Sequence, residues 1–299
     1  MQKDFTYDTY SGLIASLKKA GYVFLPFIDF ISNGSDGEKC IALRHDIDRL
    51  PENALKMARM ENTAGIKASY YFRIVKESYD EDIIRQIAEL GHEIGYHYEN
   101  FSAVNSRKVF REVKDERSKE KGVKSKEKLF ELAIDDFRLN LEKLRKLYPV
   151  KTICMHGSPL SKWDNRDLWK RYDYKDFGII AEPYFDLDFD EVFYLTDTGR
   201  RWDGDAFNVR DKVETLERGN VRTVKREMAF EGLRFRHTWD IIEAVEKELL
   251  PDKIMINTHP QRWTDNPMDW TKELVWQNVK NVVKRIVVKR KDGAIGLGD

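Results

Sequence analysis

The side chains of this sequence that could do chemistry together are Asp46, Asp48, Arg73, His97, Glu99, His156 and His259. Two of them close the stretch Cys40 to Asp48, CIALRHDID, in which an apolar run gives way abruptly to charge. Side chains alternate faces along a strand, so Asp46 and Asp48 point one way while His45 and Ile47 point the other. Two carboxylates on one face at the end of a buried strand repel each other unless a metal ion or a shared proton offsets the repulsion. Asp, Glu and His together suit Zn²⁺ or another divalent transition metal, with one position left for water. Such an ion acidifies its water and polarises a carbonyl oxygen. A second carboxylate beside it can serve as general base, and a histidine across the pocket as general acid; Asp46 and His259 fit those two roles.

The elements that must position these residues are legible from pattern. Tyr10 to Ala20 reads as an amphipathic helix and Tyr22 to Phe30 as a short apolar segment before a Gly-rich turn. Cys40 to Asp48 is a buried strand, and Pro51 then opens a helix that Gly65 stops. Lys67 to Ile74 is rich in aromatic and β-branched residues and predicts a second strand ending at Arg73. A helix over Glu81 to Leu90 and a strand over Glu93 to Glu99 follow. Strand, helix, strand, helix, strand implies parallel strands joined by right-handed crossovers. Residues 107 to 148 form a charged helical stretch broken at Gly122, with Phe130, Ala133, Phe137, Leu141, Leu144 and Tyr148 on one face. Val150 to Met155 is another buried strand, and Lys162 to Gly232 predicts short strands and long loops. A helix over His237 to Leu250, a strand over Lys253 to Thr258 and an amphipathic helix over Gln277 to Arg290 complete the pattern. Each of the chemical residues stands at the C-terminal end of its strand, and in a barrel of parallel strands those ends share one mouth.

A length of 299 residues allows one α/β barrel or two smaller domains. Without an internal repeat or a linker rich in Gly, Ser or Pro, a single domain over 1–299 is the simpler reading, with a helical insertion at about 102–149. Acidic and basic residues balance at 52 each, which argues against non-specific nucleic-acid binding. No stretch approaches a membrane span and the first residues lack a signal-peptide core, so a soluble, cytoplasmic protein is the default expectation. Cys40 and Cys154 sit in predicted strands and read as small buried apolar residues.

Asp46-x-Asp48 at the end of the first barrel strand, followed by Gly91-His92-Glu93-Ile94-Gly95-Tyr96-His97, resembles the polysaccharide deacetylase family of carbohydrate esterases. The similarity runs from about Cys40 to Pro260. It implies a distorted (β/α)7 barrel that removes acetyl groups from N-acetylated sugars with a divalent metal, for which the Asp, Glu and His donors make Zn²⁺ the expected ion. By the same resemblance Asp46 is the catalytic base, Asp48 a metal ligand and His97 the first histidine of the family's His-x-x-x-His metal motif. Ile256-Asn257-Thr258-His259 resembles the strand that supplies the catalytic acid, and Arg201-Trp202-Asp203 the tryptophan-bearing motif that orients the base. The second histidine of the metal motif would fall at Phe101, while Cys154-Met155-His156-Gly157-Ser158-Pro159 brings a different histidine to the mouth. His156 is therefore the expected third ligand, with Glu99 the second choice. The amides of Gly157 and Ser158 could form an oxyanion hole.

Plainer roles compete with these. His45, His92 and His237 read as structural histidines. Arg73, Arg200, Arg201 and Arg262 are loop ion pairs or contacts to an anionic substrate group. Trp163, Trp202, Trp263 and Trp270 either pack or stack on a sugar face. The resulting expectation is a metal-dependent hydrolase acting on an N-acetylated sugar, nucleotide sugar or glycan, with Arg73, Glu99, Ser158, Arg201 and Trp202 against the substrate. Its alternatives are a C–N amidohydrolase on a small non-sugar molecule and a catalytically silent carbohydrate-binding relative.

Overall fold

The computed structural model describes residues 3–33, 38–106, 119–157, 161, 163–202, 214–217, 220–223, 230 and 232–295. At its centre is β2 (Cys40–Ile47), buried at all eight positions. Such a strand needs partners on both edges. Along one edge it pairs first with β1 (Val23–Leu25) at Cys40 to Ala42, and then with β3 (Ser69–Phe72) at Arg44 to Ile47. Its other edge is covered from Cys40 to His45 by β9 (Lys253–Thr258).

Beyond β3 lie β4 (Glu93–Tyr98) and β5 (Ile153–Met155), and beyond β9 lies β6 (Phe193–Thr196). All these pairings are parallel. The product is an α/β fold whose curled parallel sheet makes a distorted barrel. A separate antiparallel pair, β7 (Glu214–Glu217) and β8 (Asn220–Thr223), stands outside that sheet.

Helices α1 (Tyr7–Lys19), α2 (Phe27–Asn33), α3 (Pro51–Thr63), α4 (Glu81–Glu89) and α5 (Asn100–Ser106) alternate with the first four strands. In α1 and α4, Thr6 and Asp80 accept backbone N–H groups of the first turn, which satisfies donors a helix start leaves unpaired. Pro51 occupies the first turn of α3, where its missing N–H is harmless. Helix α6 (Lys119–Arg145) runs straight through Gly122, so the predicted break there is absent. One glycine costs a long helix only about 1 kcal/mol, and Leu129, Ala133, Phe137, Leu141 and Leu144 bury a continuous face. A short α7 (Pro183–Asp186) and α8 (Thr238–Glu246) follow.

The last helix, α9 (Pro267–Ile295), starts ten residues before the predicted Gln277. Asn266 accepts the N–H groups of Met268 and Asp269, and Pro267 stands at the first helical position. Its inner face is polar: Glu273, Gln277 and Asn281 are buried, while Val275, Trp276, Val279 and Val282 are exposed. That inversion of the usual pattern hid its start from a search for apolar periodicity.

Candidate metal centre

The strand ends converge as the alternation in β2 requires. Arg44 and Asp46 lie on one face and both are buried; Arg44 Nε donates to Asp46 Oδ1 at 2.9 Å and Nη2 to Oδ2 at 2.6 Å. Asn257 of β9 adds a hydrogen bond to Asp46 Oδ2 at 3.0 Å. Burial would raise the carboxyl pKa, but the guanidinium and His97 overcome it and hold Asp46 well below the usual carboxylate range.

Asp48 stands one turn of the pleat further on. Oδ2 accepts from Gln261 Nε2 at 3.0 Å, whereas Oδ1 is buried without a hydrogen-bond partner. An orphaned carboxylate oxygen is costly in a protein interior. Facing it are His156 Nε2 at 3.4 Å and His97 Nε2 at 3.7 Å. Ligands about 2.1 Å from a tetrahedral ion stand about 3.4 Å from one another. The ligand atoms of Asp48, His97 and His156 thus lie within 4.8 Å of one another, a group that could hold a metal ion.

Both rings are fixed from behind. His97 Nδ1 lies 3.0 Å from the Cys154 carbonyl oxygen, and His156 Nδ1 lies 3.0 Å from Glu99 Oε2. A carbonyl or carboxylate on Nδ1 leaves Nε2 unprotonated and aimed at the centre. Burial pushes His97 down to about 4, so it stays neutral and able to ligate near neutral pH.

Glu99, the alternative ligand, lies behind His156 on Nδ1 and outside the group of converging ligand atoms. Arg73 holds Glu99 in turn, with Nε and Nη2 on Oε1 at 3.0 and 2.6 Å, and Nη1 on the Asp48 carbonyl oxygen. Burial would raise the Glu99 carboxyl, but His156 and Arg73 bring it down to about 2. The two residues expected against the substrate are thus engaged with other groups, the Arg73 guanidinium by Glu99 and the Asp48 carbonyl oxygen, and Glu99 by Arg73 and His156. Phe101, where a His-x-x-x-His motif would need its second histidine, packs on Phe130 and Trp163 in the core.

A second combination, Asp46 with His97 and Cys154, is also close enough for a metal. Its carboxylate is already neutralised by Arg44, whose positive charge opposes a cation there.

Across the mouth, His259 follows β9. Its backbone N–H donates to Asp197 Oδ2 at 2.9 Å and its Nδ1 lies 2.7 Å from Asp197 Oδ1, leaving Nε2 for the pocket. Asp197 is fully buried and also accepts from Arg262 Nη1 and from Trp263 Nε1. Burial opposes its charge, but Arg262 and His259 keep it ionised.

Asp197, Asn257 and Gln261 were not among the residues expected to act at this centre. Asp197 follows the last residue of β6, the position that identified the other candidates, but it lay inside a region read as short strands and long loops without assigned bounds. Trp202, expected against base or substrate, is 1% exposed. Its Nε1 donates to Thr238 Oγ1, and its ring packs on Phe5 and Trp263. The tryptophan that reaches the centre, through Asp197, is Trp263. Arg201 is partly exposed in the same loop, and Ser158 lies outside the described residues.

The histidines read as structural are so placed. His45 points away from the mouth, 2.8 Å from Glu61 and 2.6 Å from Thr258 Oγ1. His92 accepts the Ala68 N–H through Nδ1, and His237 caps α8. Both cysteines are buried, and neither forms a disulfide among the described residues. Among the described residues no helix is long and apolar enough to cross a membrane. No protein-family model matches the chain, and no curated protein is significantly similar to it.

Proposed function

We propose that this chain is a metal-dependent hydrolase that removes an N-acetyl group from a sugar or glycan precursor. The observation that carries the reading is the orphaned Asp48 Oδ1 facing Nε2 of both His97 and His156, with each imidazole held through Nδ1. A divalent cation such as Zn²⁺, held by these three residues, would acidify a water and polarise the amide carbonyl. Asp46 accepts a proton from the attacking water. Because Arg44 keeps it ionised and weakly basic, it orients that water as much as it deprotonates it. His259, fixed by Asp197, protonates the departing amine.

A C–N amidohydrolase acting on a non-sugar amide draws on the same atoms. It gains support from the burial of Trp202 and Trp263, which removes two expected sugar platforms. The deciding experiment is elemental analysis of the purified protein, followed by acetate release from N-acetylglucosamine and its phosphorylated derivatives after zinc loading. Stoichiometric metal with acetate release supports deacetylation. Metal binding without acetate from any sugar leaves the amidohydrolase, and failure to bind zinc or another divalent transition metal removes both.

A further inference from the structure

The charges around the centre are matched almost one to one. Asp46 pairs with Arg44, Glu99 with Arg73, Asp197 with Arg262, and Glu273 with Arg49. Among the described residues, Asp48, which the metal would neutralise, faces only histidines, Arg200 is held by the carbonyl oxygens of Trp270 and Asp4, and Lys280 on α9 has no ion pair.

Lys280 lies three residues after Gln277 and seven after Glu273, on the polar face that α9 turns toward the barrel mouth. That face is anchored at both rims: Glu273 takes Arg49 from the loop after β2, and Asn281 donates to the Gly199 carbonyl in the loop after β6. The Lys280 ammonium stands 5.0 Å from the centre of the Trp276 ring and has no hydrogen-bond or ion-pair partner among the described residues. Half-burial lowers its pKa, and its electrostatic neighbours include Glu273, Arg262, Arg49 and Asp48.

Trp276 also lines a cavity of about 370 Å³ with Arg49, Gln261 and Glu273. Gln261, which donates to Asp48, joins that cavity to the centre, and its Oε1 is buried without a partner.

We infer that the substrate carries an anionic group, a carboxylate or a phosphate on its sugar, and that this group docks on Lys280 beside the Trp276 face. The inference rests on the metal-hydrolase reading. A divalent ion against one unmatched carboxylate, with the Lys280 ammonium added, leaves the mouth with net positive charge, which a neutral sugar does not answer. A partly desolvated cation that faces only an aromatic ring is likewise stabilised further when an anion arrives.

The test is calorimetric binding to the zinc-loaded full chain of N-acetylglucosamine, its 6-phosphate and the corresponding N-acetylated uronic acid. Wild type, Lys280→Gln and Lys280→Arg are compared. At least one anionic sugar should bind wild type about tenfold more tightly than the neutral one. Lys280→Gln should abolish most of that advantage and Lys280→Arg retain it, and which anion is preferred separates carboxylate from phosphate. Equal binding of neutral and anionic sugars, or an unchanged preference in Lys280→Gln, overturns the inference, the second result assigning the anion to the metal. Acetate release followed in parallel reports on hydrolysis separately: a Lys280-dependent preference supports the anion site whether or not acetate appears.

Discussion

Oδ1 of Asp48 lies 3.4 Å from Nε2 of His156, and neither the orphaned oxygen nor the geometry of the pair is explained by a hydrogen bond. The separation is that of two neighbouring ligands on a tetrahedral ion. Replacing His156 by Ala should therefore abolish stoichiometric zinc binding, read by elemental analysis after dialysis. Full metal content in that variant would refute the ligand set.

Glu99 acts one layer further out, on His156 Nδ1. Glu99→Gln keeps the shape but removes the charge that orients the imidazole, so zinc affinity should fall about 10- to 100-fold without disappearing. Competition with a chromophoric chelator measures it. A complete loss would make Glu99 a ligand, and no change would make the contact incidental.

Asp197 is placed to position His259 and is not itself within the metal ligand set. Asp197→Asn should lower kcat for acetate release by at least about 100-fold, by analogy with other histidines whose tautomer a carboxylate fixes. Zinc content should not change, and the pH dependence attributable to the general acid should shift. A variant with normal kcat would remove Asp197 and His259 from the proton path.

Much of this centre was legible because strand alternation is rigid. Asp46 and Asp48 had to share a face, and parallel strands had to bring His97, His156 and His259 to the same mouth. What pattern could not supply was the partner of each group. Arg44 reaches Asp46 from two residues away on the same face, but its rotamer decides whether it faces carboxylate or solvent. Asp197 and the Gly199 carbonyl that Asn281 of α9 meets lie in a loop with no periodicity, where Gly199 takes a φ of +74° and a Cβ would stand 2.7 Å from Asn281 Oδ1. The polar inner face of α9 reads as a solvated one until the barrel mouth beneath it is known.

Glu182 supplies a pH test independent of activity. Burial, opposed by the N–H groups of Tyr184 and Met155 and by Arg166, pushes its carboxyl up to about 7. Raised above its unfolded value of about 4.5, it contributes stability that is fully present below pH 4.5 and is lost as pH rises to 7. The change is of the order of 3 kcal/mol. Other groups move oppositely, His97 among them, so the quantity to measure is the variant minus wild type. In urea titrations of the metal-free protein, Glu182→Gln should gain stability relative to wild type between pH 5 and pH 8. A difference that stays constant with pH would show that Glu182 is ionised throughout.

Gly95 offers the sharpest test of the scaffold beneath the centre. It pairs with Tyr71 across β3 and β4, and a Cβ built on it would meet Tyr71 Cε1 at 2.3 Å and Cδ1 at 2.4 Å. The ring cannot swing away freely, because Tyr71 is fully buried and its hydroxyl hydrogen-bonds Thr152 Oγ1, which in turn donates to Glu93. Gly95→Ala must therefore displace either the ring or the strand that carries His97 two residues later. Overpacking of this kind destabilises by about 1–3 kcal/mol, and any shift of β4 moves His97 relative to Asp48. The variant should show a lower urea midpoint and weaker zinc binding together. A lowered midpoint with unchanged zinc affinity would mean that the ring gives way and the strand does not. An unchanged midpoint would mean that Tyr71 does not occupy the space over Gly95.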